Sequence, residues 1–334
     1  MIEAAELSPR ELRIRLGVAG LTFFVGVSIL AAKFWAFHLT HSQAIYSDAL
    51  ESIVNVVTAA VGFVVIYYAS KPADEDHPYG HGKVEHFSAA FEGGLIIFAA
   101  IFVVVEAVKA HIRGQTLTNL DEGMWIIGFC GLANLGFGLF LKSIGRRFAS
   151  PSLQAAGVHL LVDFWTTLAA VVGVLAVKLT GLHSIDRVVA LLLGLHMTFS
   201  GLRLVRGSAL ELMDAEDVKL LEQLAEIFEA NVGDGIIQIH HIKIIRSGWF
   251  HHIDGHAVVP EFWNVEQAHD RLDIFESRVI KSYPYGGEVN FHLDPCKRKY
   301  CSVCDYKDCP VRAAQFQSRM PVVLEHLRSK VEPL

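Results

Sequence analysis

The chain has 334 residues, a net charge of −6, and 52% apolar against 19% charged residues. Soluble domains run at about 45–50% apolar and about 25% charged, so a mean hydropathy of +0.38 excludes disorder and argues against a purely soluble enzyme. No basic block interrupts the chain, which argues against a nucleic-acid partner.

The apolar excess lies before about Leu210, and from Glu211 onward the composition is that of ordinary soluble protein. A bilayer-crossing helix takes about 20 mostly apolar residues. Six stretches qualify, near Leu16–His38, Ala44–Ala69, Phe87–His111, Met124–Ile144, Leu153–Leu179 and Ile185–Val205. Stretches such as Leu95–Val105 lack the polar face that a helix of a soluble bundle carries. No small-residue cleavage site accompanies the first span, so it reads as a retained helix rather than a signal peptide. Arg10, Arg13, Arg15, Lys71, Lys83, Lys142, Arg146, Arg147, Arg203 and Arg206 mark one side of the membrane, against Lys109, Arg113, Lys178 and Arg187 on the other. This bias places both termini in the cytoplasm. The expected organisation is a cytoplasmic segment (1–15), a six-helix transmembrane domain (16–208) with a His-rich cytoplasmic loop (71–86), a cytoplasmic domain (209–295) and a Cys-rich extension (296–334).

The tail reads as a helix over Asp217–Asn231, a strand over Ile236–Ile245, a turn at Ser247-Gly248 and a strand over Trp249–Val259. A helix over Val265–Tyr283 and a strand over Glu288–Leu293 come next. The order αββαβ predicts a small α+β domain with its helices on one face of the sheet.

Ionisable groups at membrane depth are costly and mark pathways or sites. Asp48, Glu51 and Asn55 fall at i, i+3 and i+7 on one face of the second span, and His159 and Asp163 at i, i+4 on one face of the fifth. Turned toward each other, Glu51, Asn55, His159 and Asp163 form a four-ligand set suited to a borderline divalent metal; the alternative is a set of separate interhelical hydrogen bonds. Asp48 reads either as a solvated mouth residue or as an outer neighbour of the ligands. In the loop, Asp74, His77 and His81 converge if the chain turns at Pro78, Gly80 and Gly82, giving either a zinc-type site or a merely polar loop. Lys33 and His38 read as snorkelling to the outer interface. Glu92 and Glu106 read as pairing with neighbours or lining a dimer contact, and Cys130 as a small buried apolar residue. His251 and His252 alternate on a strand, so at most one joins an inward cluster.

The other four cysteines come after the last strand as Cys296-x4-Cys301-x2-Cys304-x4-Cys309. Three readings stay open: a tetrahedral zinc site, an iron–sulfur cluster, and free thiols or transient metal pick-up. The x4, x2 opening matches a plant-type iron–sulfur pattern, whose fourth cysteine is normally remote.

Ser47-Asp-Ala-Leu-Glu-Ser-Ile-Val-Asn55 resembles the second span of the cation diffusion facilitator family. The run Pro72-Ala-Asp through His77-Pro-Tyr-Gly-His-Gly-Lys83 is similar to that family's intracellular loop signature. His159-Leu-Leu-Val-Asp163 resembles its fifth-span His-x-x-x-Asp, and His292-Leu-Asp-Pro295 the end of its cytoplasmic domain. The resemblance runs from about Gly17 to Pro295. It implies six transmembrane helices, a ferredoxin-like cytoplasmic domain, a two-fold homodimer and proton-driven efflux of a divalent metal, in a multi-pass protein of a bacterial inner membrane. It also implies that Glu51, Asn55, His159 and Asp163 are the transport ligands, and that Asp74, His77 and His81 form a loop zinc site. His240, His256, His269, His292 and Asp294 then correspond to regulatory or structural zinc positions at the dimer contact. The second span departs from the family's Asp-x-x-x-Asp or His-x-x-x-Asp, having Glu51-x-x-x-Asn55. A neutral amide there removes a charge and leaves zinc, iron, cobalt, nickel and manganese open. Two further readings are a membrane-anchored metal or redox sensor using the Cys/His-rich tail, and a membrane hydrolase. The hydrolase has neither a nucleophile constellation nor a phosphate loop to support it.

Overall fold

A computed structural model describes residues 9–69, 71, 73–114, 116–147, 151–248 and 250–334. Residues 1–8 of the N-terminal segment, Pro72 of the loop motif and Trp249 of the expected second strand lie outside the described residues. The chain divides into two compact units. One comprises the described residues up to Tyr67 with His86–Ala209; the other comprises Tyr68–Glu85 with Leu210–Leu334.

The first unit is helical: α1 (Pro9–Thr40), α2 (Gln43–Ala69), α3 (Val84–Ile112), α4 (Leu120–Arg147), α5 (Pro151–Thr180) and α6 (Ser184–Leu212). Each contains a stretch long and apolar enough to cross a membrane. Large side chains such as Phe24, Trp35, Phe98, Trp125, Phe129, Leu195 and Phe199 are exposed, as helices solvated by lipid require. Small residues let neighbouring helices close up. A Cβ on Gly93 of α3 would sit 2.9 Å from the Gly201 carbonyl of α6, and one on Gly157 of α5 would sit 2.8 Å from the Gly138 carbonyl of α4. The start of α2 is fixed by Asp186 of α6. Its carboxylate accepts the amides of Gln43 (2.7 Å) and Ala44 (3.3 Å) and the Ser42 hydroxyl, satisfying N–H groups that a helix start leaves unpaired.

In the second unit, α7 (Val218–Asn231), β1 (Gln238–Ser247), β2 (Phe250–Val259), α8 (Val265–Ser282) and β3 (Gly286–Pro295) occur in the expected αββαβ order. A 3-10 turn (Arg298–Ser302) and the short helix α9 (Leu324–Arg328) complete the tail. Asp217 caps α7 by accepting the Lys219 and Leu220 amides, and Asn264 with Gln267 forms a capping box on α8. The sheet order is β1-β2-β3, antiparallel then parallel. Ile239, Ile253, Ala257, Val289 and Phe291 pack against Leu224 and Phe228 of α7 and Leu272 and Phe275 of α8. The even-numbered residues of β2 and β3 therefore occupy the opposite face.

Two local features position the histidines of this unit. The β1–β2 register shifts between His240 and Lys243, and His241 takes a left-handed φ of 52° at that bulge. The segment 68–85 packs with the tail: the Gly82 amide donates to the Ser247 hydroxyl (3.2 Å), the Tyr79 carbonyl lies 3.4 Å from His252 Nε2, and Lys83 pairs with Asp214 at 2.9 Å. A Cβ at Gly82 would collide with the Ser247 backbone, so glycine is required for this approach.

Candidate metal-binding sites

In the membrane unit, α2 and α5 present their polar faces to one another. Asn55 joins the two: its Nδ2 donates to Asp163 Oδ2 (2.6 Å) and its Oδ1 lies 2.8 Å from His159 Nε2. The amide satisfies both partners at once when His159 carries its proton on Nε2. His159 Nε2 lies 3.9 Å from Asp163 Oδ1, and that oxygen is buried with no hydrogen-bond partner. Glu51, one turn before Asn55, lies within electrostatic reach of Asp163 and His159. The three titratable members do not converge on one point: among the described residues, the groups whose ligand atoms all lie within 4.8 Å of one another are both in the other unit.

Lys33 corrects the sequence expectation. It does not snorkel: its ammonium and the Asp48 carboxylate pair at 2.9 Å, each about 1% exposed. Thr167, one turn beyond Asp163, donates to both Asp48 oxygens at 2.9 and 3.1 Å. A buried carboxylate nearby outweighs the pull of the interface, because either charge left alone in the helix bundle costs more than the pair. Asp48 is thus an outer neighbour of the four residues rather than a solvated mouth group. Glu106 pairs with Lys109 at 2.6 Å, as expected. Glu92 of α3 is within electrostatic reach of His159, a placement that spacing along one helix does not reveal.

In the loop, Asp74, His77 and His81 do converge. Gly80, with φ of 76°, returns its amide to the His77 carbonyl at 2.9 Å, and this turn brings the two rings to 4.4 Å between centroids. Asp74 accepts the His77 amide (2.7 Å) and lies 3.2 and 3.3 Å from the His77 and His81 rings. That backbone bond holds the Asp74 carboxyl below its ordinary pKa. His81 is buried, and its Nδ1 has no partner.

The second converging group lies on the sheet face away from α7 and α8. Strand register sets His240 opposite His256 and His256 opposite His292, one rung of three imidazoles with centroids 5.1 and 4.9 Å apart. Asp294, two residues along β3, lies 2.9 Å from His256, 3.6 Å from His240 and 3.9 Å from His292. Burial pushes the His240 pKa below its ordinary value despite Asp294, which keeps the ring in the neutral form that ligates metals. The buried His240 Nδ1 has no partner. The bulge turns His241 toward the rung, 5.0 Å from the His256 ring; alternation alone assigns it to the other face. His269 stands apart, exposed on α8, which covers the opposite face of the sheet. His251 and His252 do part company: one meets the Tyr283 hydroxyl at 2.6 Å and the other Glu288 at 2.8 Å.

Cys130 is buried among the spans, and none of the five cysteines is in a disulfide. Cys296, Cys301, Cys304 and Cys309 line a single cavity, and burial raises the thiol pKa of Cys296 and Cys304.

Residues 21–213 match the cation efflux transmembrane domain, and residues 217–296 the cation efflux protein cytoplasmic domain. The chain belongs to the cation efflux family. It is 30% identical to the uncharacterized transporter sll1263 of Synechocystis sp. over 284 residues, which cover 85% of this chain and 91% of that protein. It is 27% identical to the cation-efflux pump FieF of Pectobacterium carotovorum over 272 residues (81% and 89%), and 25% identical to FieF of Klebsiella pneumoniae over 268 residues (80% and 88%). This member of the family is a multi-pass membrane transporter of metal cations. Cys301, Cys304 and Cys309 lie beyond the matched domains.

Proposed function

We propose that the protein exports a divalent transition-metal cation from the cytoplasm in exchange for protons. The observation that carries this reading is the Asn55–His159–Asp163 network across α2 and α5, with Asp163 Oδ1 buried and unpartnered. A cation entering there displaces the Asn55–His159 bond, because ligation through Nε2 requires that nitrogen to lose its proton. Glu51 closes on the same ion from one turn away, and Asn55 offers a neutral oxygen. A neutral ring only moves that proton to Nδ1, so the protons released on binding are those of an imidazolium or of protonated carboxyl groups. Protons arriving from the other side return His159 and the carboxylates to their protonated, hydrogen-bonded state and release the metal. An imidazole suits this exchange, since its unperturbed pKa of about 6.5 lies near working pH. Helices rocking about the site expose it to each side in turn.

The chain works as a homodimer in a bacterial inner membrane with both termini cytoplasmic. The loop triad (Asp74, His77, His81) and the sheet rung (His240, His256, His292, Asp294) hold zinc from the cytoplasm and bias the transporter by differential affinity for its states. His269, on the helical side of the sheet, is available to a partner protomer rather than to its own rung.

The test is metal flux in proteoliposomes with an imposed pH gradient, across zinc, iron, cobalt, nickel and manganese. Flux that follows the proton gradient and vanishes in His159→Ala supports the exchange. Flux that ignores the gradient, or wild-type flux in His159→Ala, overturns it. Asn55→Asp restores a second-span carboxylate and is expected to shift the order of metals transported; an unchanged order removes the amide from selectivity.

A further inference from the structure

The segment after β3 contains little regular structure beyond the 3-10 turn Arg298–Ser302 and the short α9, yet its cysteine-bearing part is tied down. The Cys296 amide donates to the Val259 carbonyl at 2.7 Å, fixing the first cysteine beside the end of β2. Tyr300 is fully buried and packs with Cys304 against Ile237 and Val258. Arg312 turns back over the loop and donates to the carbonyls of Cys301 (3.1 Å), Cys304 (3.2 Å) and Tyr306. The Ala313 amide donates to Cys301 Sγ at 3.2 Å.

These ties bring four cysteines around one cavity of about 10 Å³, which Arg312 and Glu261 also line. We propose that Cys296, Cys301, Cys304 and Cys309 bind one zinc-type divalent ion as a closed four-thiolate centre, a staple for the C-terminal extension that takes no part in transport. An all-sulfur donor set selects zinc or iron over hard cations. The spacing favours a single ion over a cluster, because Cys309 follows Cys304 by only five residues, whereas the plant-type iron–sulfur pattern takes its fourth cysteine from a remote position. The surroundings fit a site of net charge 2−. An amide already points at Cys301 Sγ, the Arg312 guanidinium spends its hydrogen bonds on neutral carbonyls, and the Glu261 carboxylate that shares the lining is paired with Arg298 at 3.0 Å.

Binding exchanges four S–H protons for four Zn–S bonds and releases the protons to solvent. Zn–S bonds of about 2.3 Å set tetrahedral sulfurs about 3.8 Å apart. The cysteine sulfurs are not among the groups already converging within 4.8 Å, so loading draws them inward. Cys296 and Cys309, only half-buried, supply that movement by side-chain rotation, while the buried Cys301 and Cys304 form the fixed half.

The experiment uses the full-length protein in detergent, dialysed against EDTA and assayed for zinc, iron and acid-labile sulfide. The expected result is one retained zinc per chain, lost in Cys301→Ser/Cys304→Ser. Because that variant can fail to fold, a second measurement uses wild type reloaded with Co2+. Four thiolates give sulfur-to-cobalt charge transfer in the near ultraviolet and intense tetrahedral bands in the visible, which His and carboxylate sites elsewhere in the chain do not. Iron with sulfide in place of zinc overturns the proposal in favour of a cluster. Retained zinc no greater than in the variant, or no charge-transfer band, overturns it in favour of free thiols. His159→Ala is expected to keep the cobalt spectrum while losing flux, so failure of the transport reading and failure of this one are separate events.

Discussion

Two regions of this protein gather histidine and carboxylate, and they do so by different means. In the membrane unit the donors come from two helices and are spent on one another: Asn55 holds both His159 and Asp163, leaving a single buried oxygen free. On the sheet the donors come from three strands at one register position. Their side-chain exposure climbs from 2% at His240 through 29% at His256 to 71% at His292. In the helical set Asn55, His159 and one Asp163 oxygen are bonded to one another, and an ion must break those bonds to enter. The strand set is graded toward solvent, and three of its members, His240, His256 and Asp294, already converge and accept an ion by filling a place. Under the proposed function the helical set must release its cargo, so a competing internal network is an asset there, whereas the strand set, proposed for sensing, gains from being assembled in advance.

The largest effects should come from breaking the helical set. Asp163→Asn removes the one carboxylate that has both a bond to Asn55 and a free oxygen, and flux is expected to fall by roughly 100-fold or more. His256→Ala, at the centre of the rung, should abolish zinc binding there and change flux only a few-fold. Equal losses in a proteoliposome assay would erase the distinction drawn between the regions. Next comes the ion pair behind the helical set. Lys33→Met leaves Asp48 buried and unpaired, and thermal unfolding in detergent should show a loss of about 3–5 kcal/mol. Lys33→Met/Asp48→Asn should recover most of it. No recovery would mean that Lys33 acts through packing of its stem rather than its charge.

The same contrast explains what the sequence discloses. Helix periodicity is local, so Glu51, Asn55, His159 and Asp163 can be assigned to facing stripes from spacing alone, and all six spans and the αββαβ order emerge from apolar runs and alternation. Strand register is not local. That His240, His256 and His292 share a rung depends on a bulge at His241, which also turns that ring to a face that alternation denies it. Lys33 is the converse case: its place in an apolar run suggests an interface residue, and only the fold brings Asp48 within 2.9 Å. Glu92 belongs with it, because its reach toward His159 rests on how α3 packs.

The loop triad offers a sharper test of preassembly, with a smaller effect. Asp74, His77 and His81 hang from a turn that is seated on Ser247 through Gly82. Gly82→Ala forces the loop off that seat without touching a ligand. Zinc affinity of the loop, measured by equilibrium dialysis in a background lacking the rung histidines, should weaken by about 10-fold, while the isolated turn hydrogen bonds persist. Unchanged affinity would show that the triad assembles without help from the β1–β2 turn.

The smallest effect concerns a histidine that no metal site uses. His251 is buried beside the Tyr283 hydroxyl, and burial, aided by the charge of Arg246, pushes its pKa down to about 4. An unfolded histidine titrates near 6.5, so between those values the unfolded chain binds more protons than the folded one. Stability from this group is therefore intact above about pH 6.5 and drains away as pH falls toward 4. The protection factors of the β2 amides, referenced to intrinsic exchange at each pH, should fall as pH drops over that interval in wild type, and less steeply in His251→Gln, which cannot take up the proton. The zinc-loaded rung should titrate separately, its midpoint moving with zinc concentration while that of His251 stays fixed. Midpoints that move together would join the two faces of β2 into one proton-linked unit and weaken the contrast between a site built for an ion and a ring built for packing.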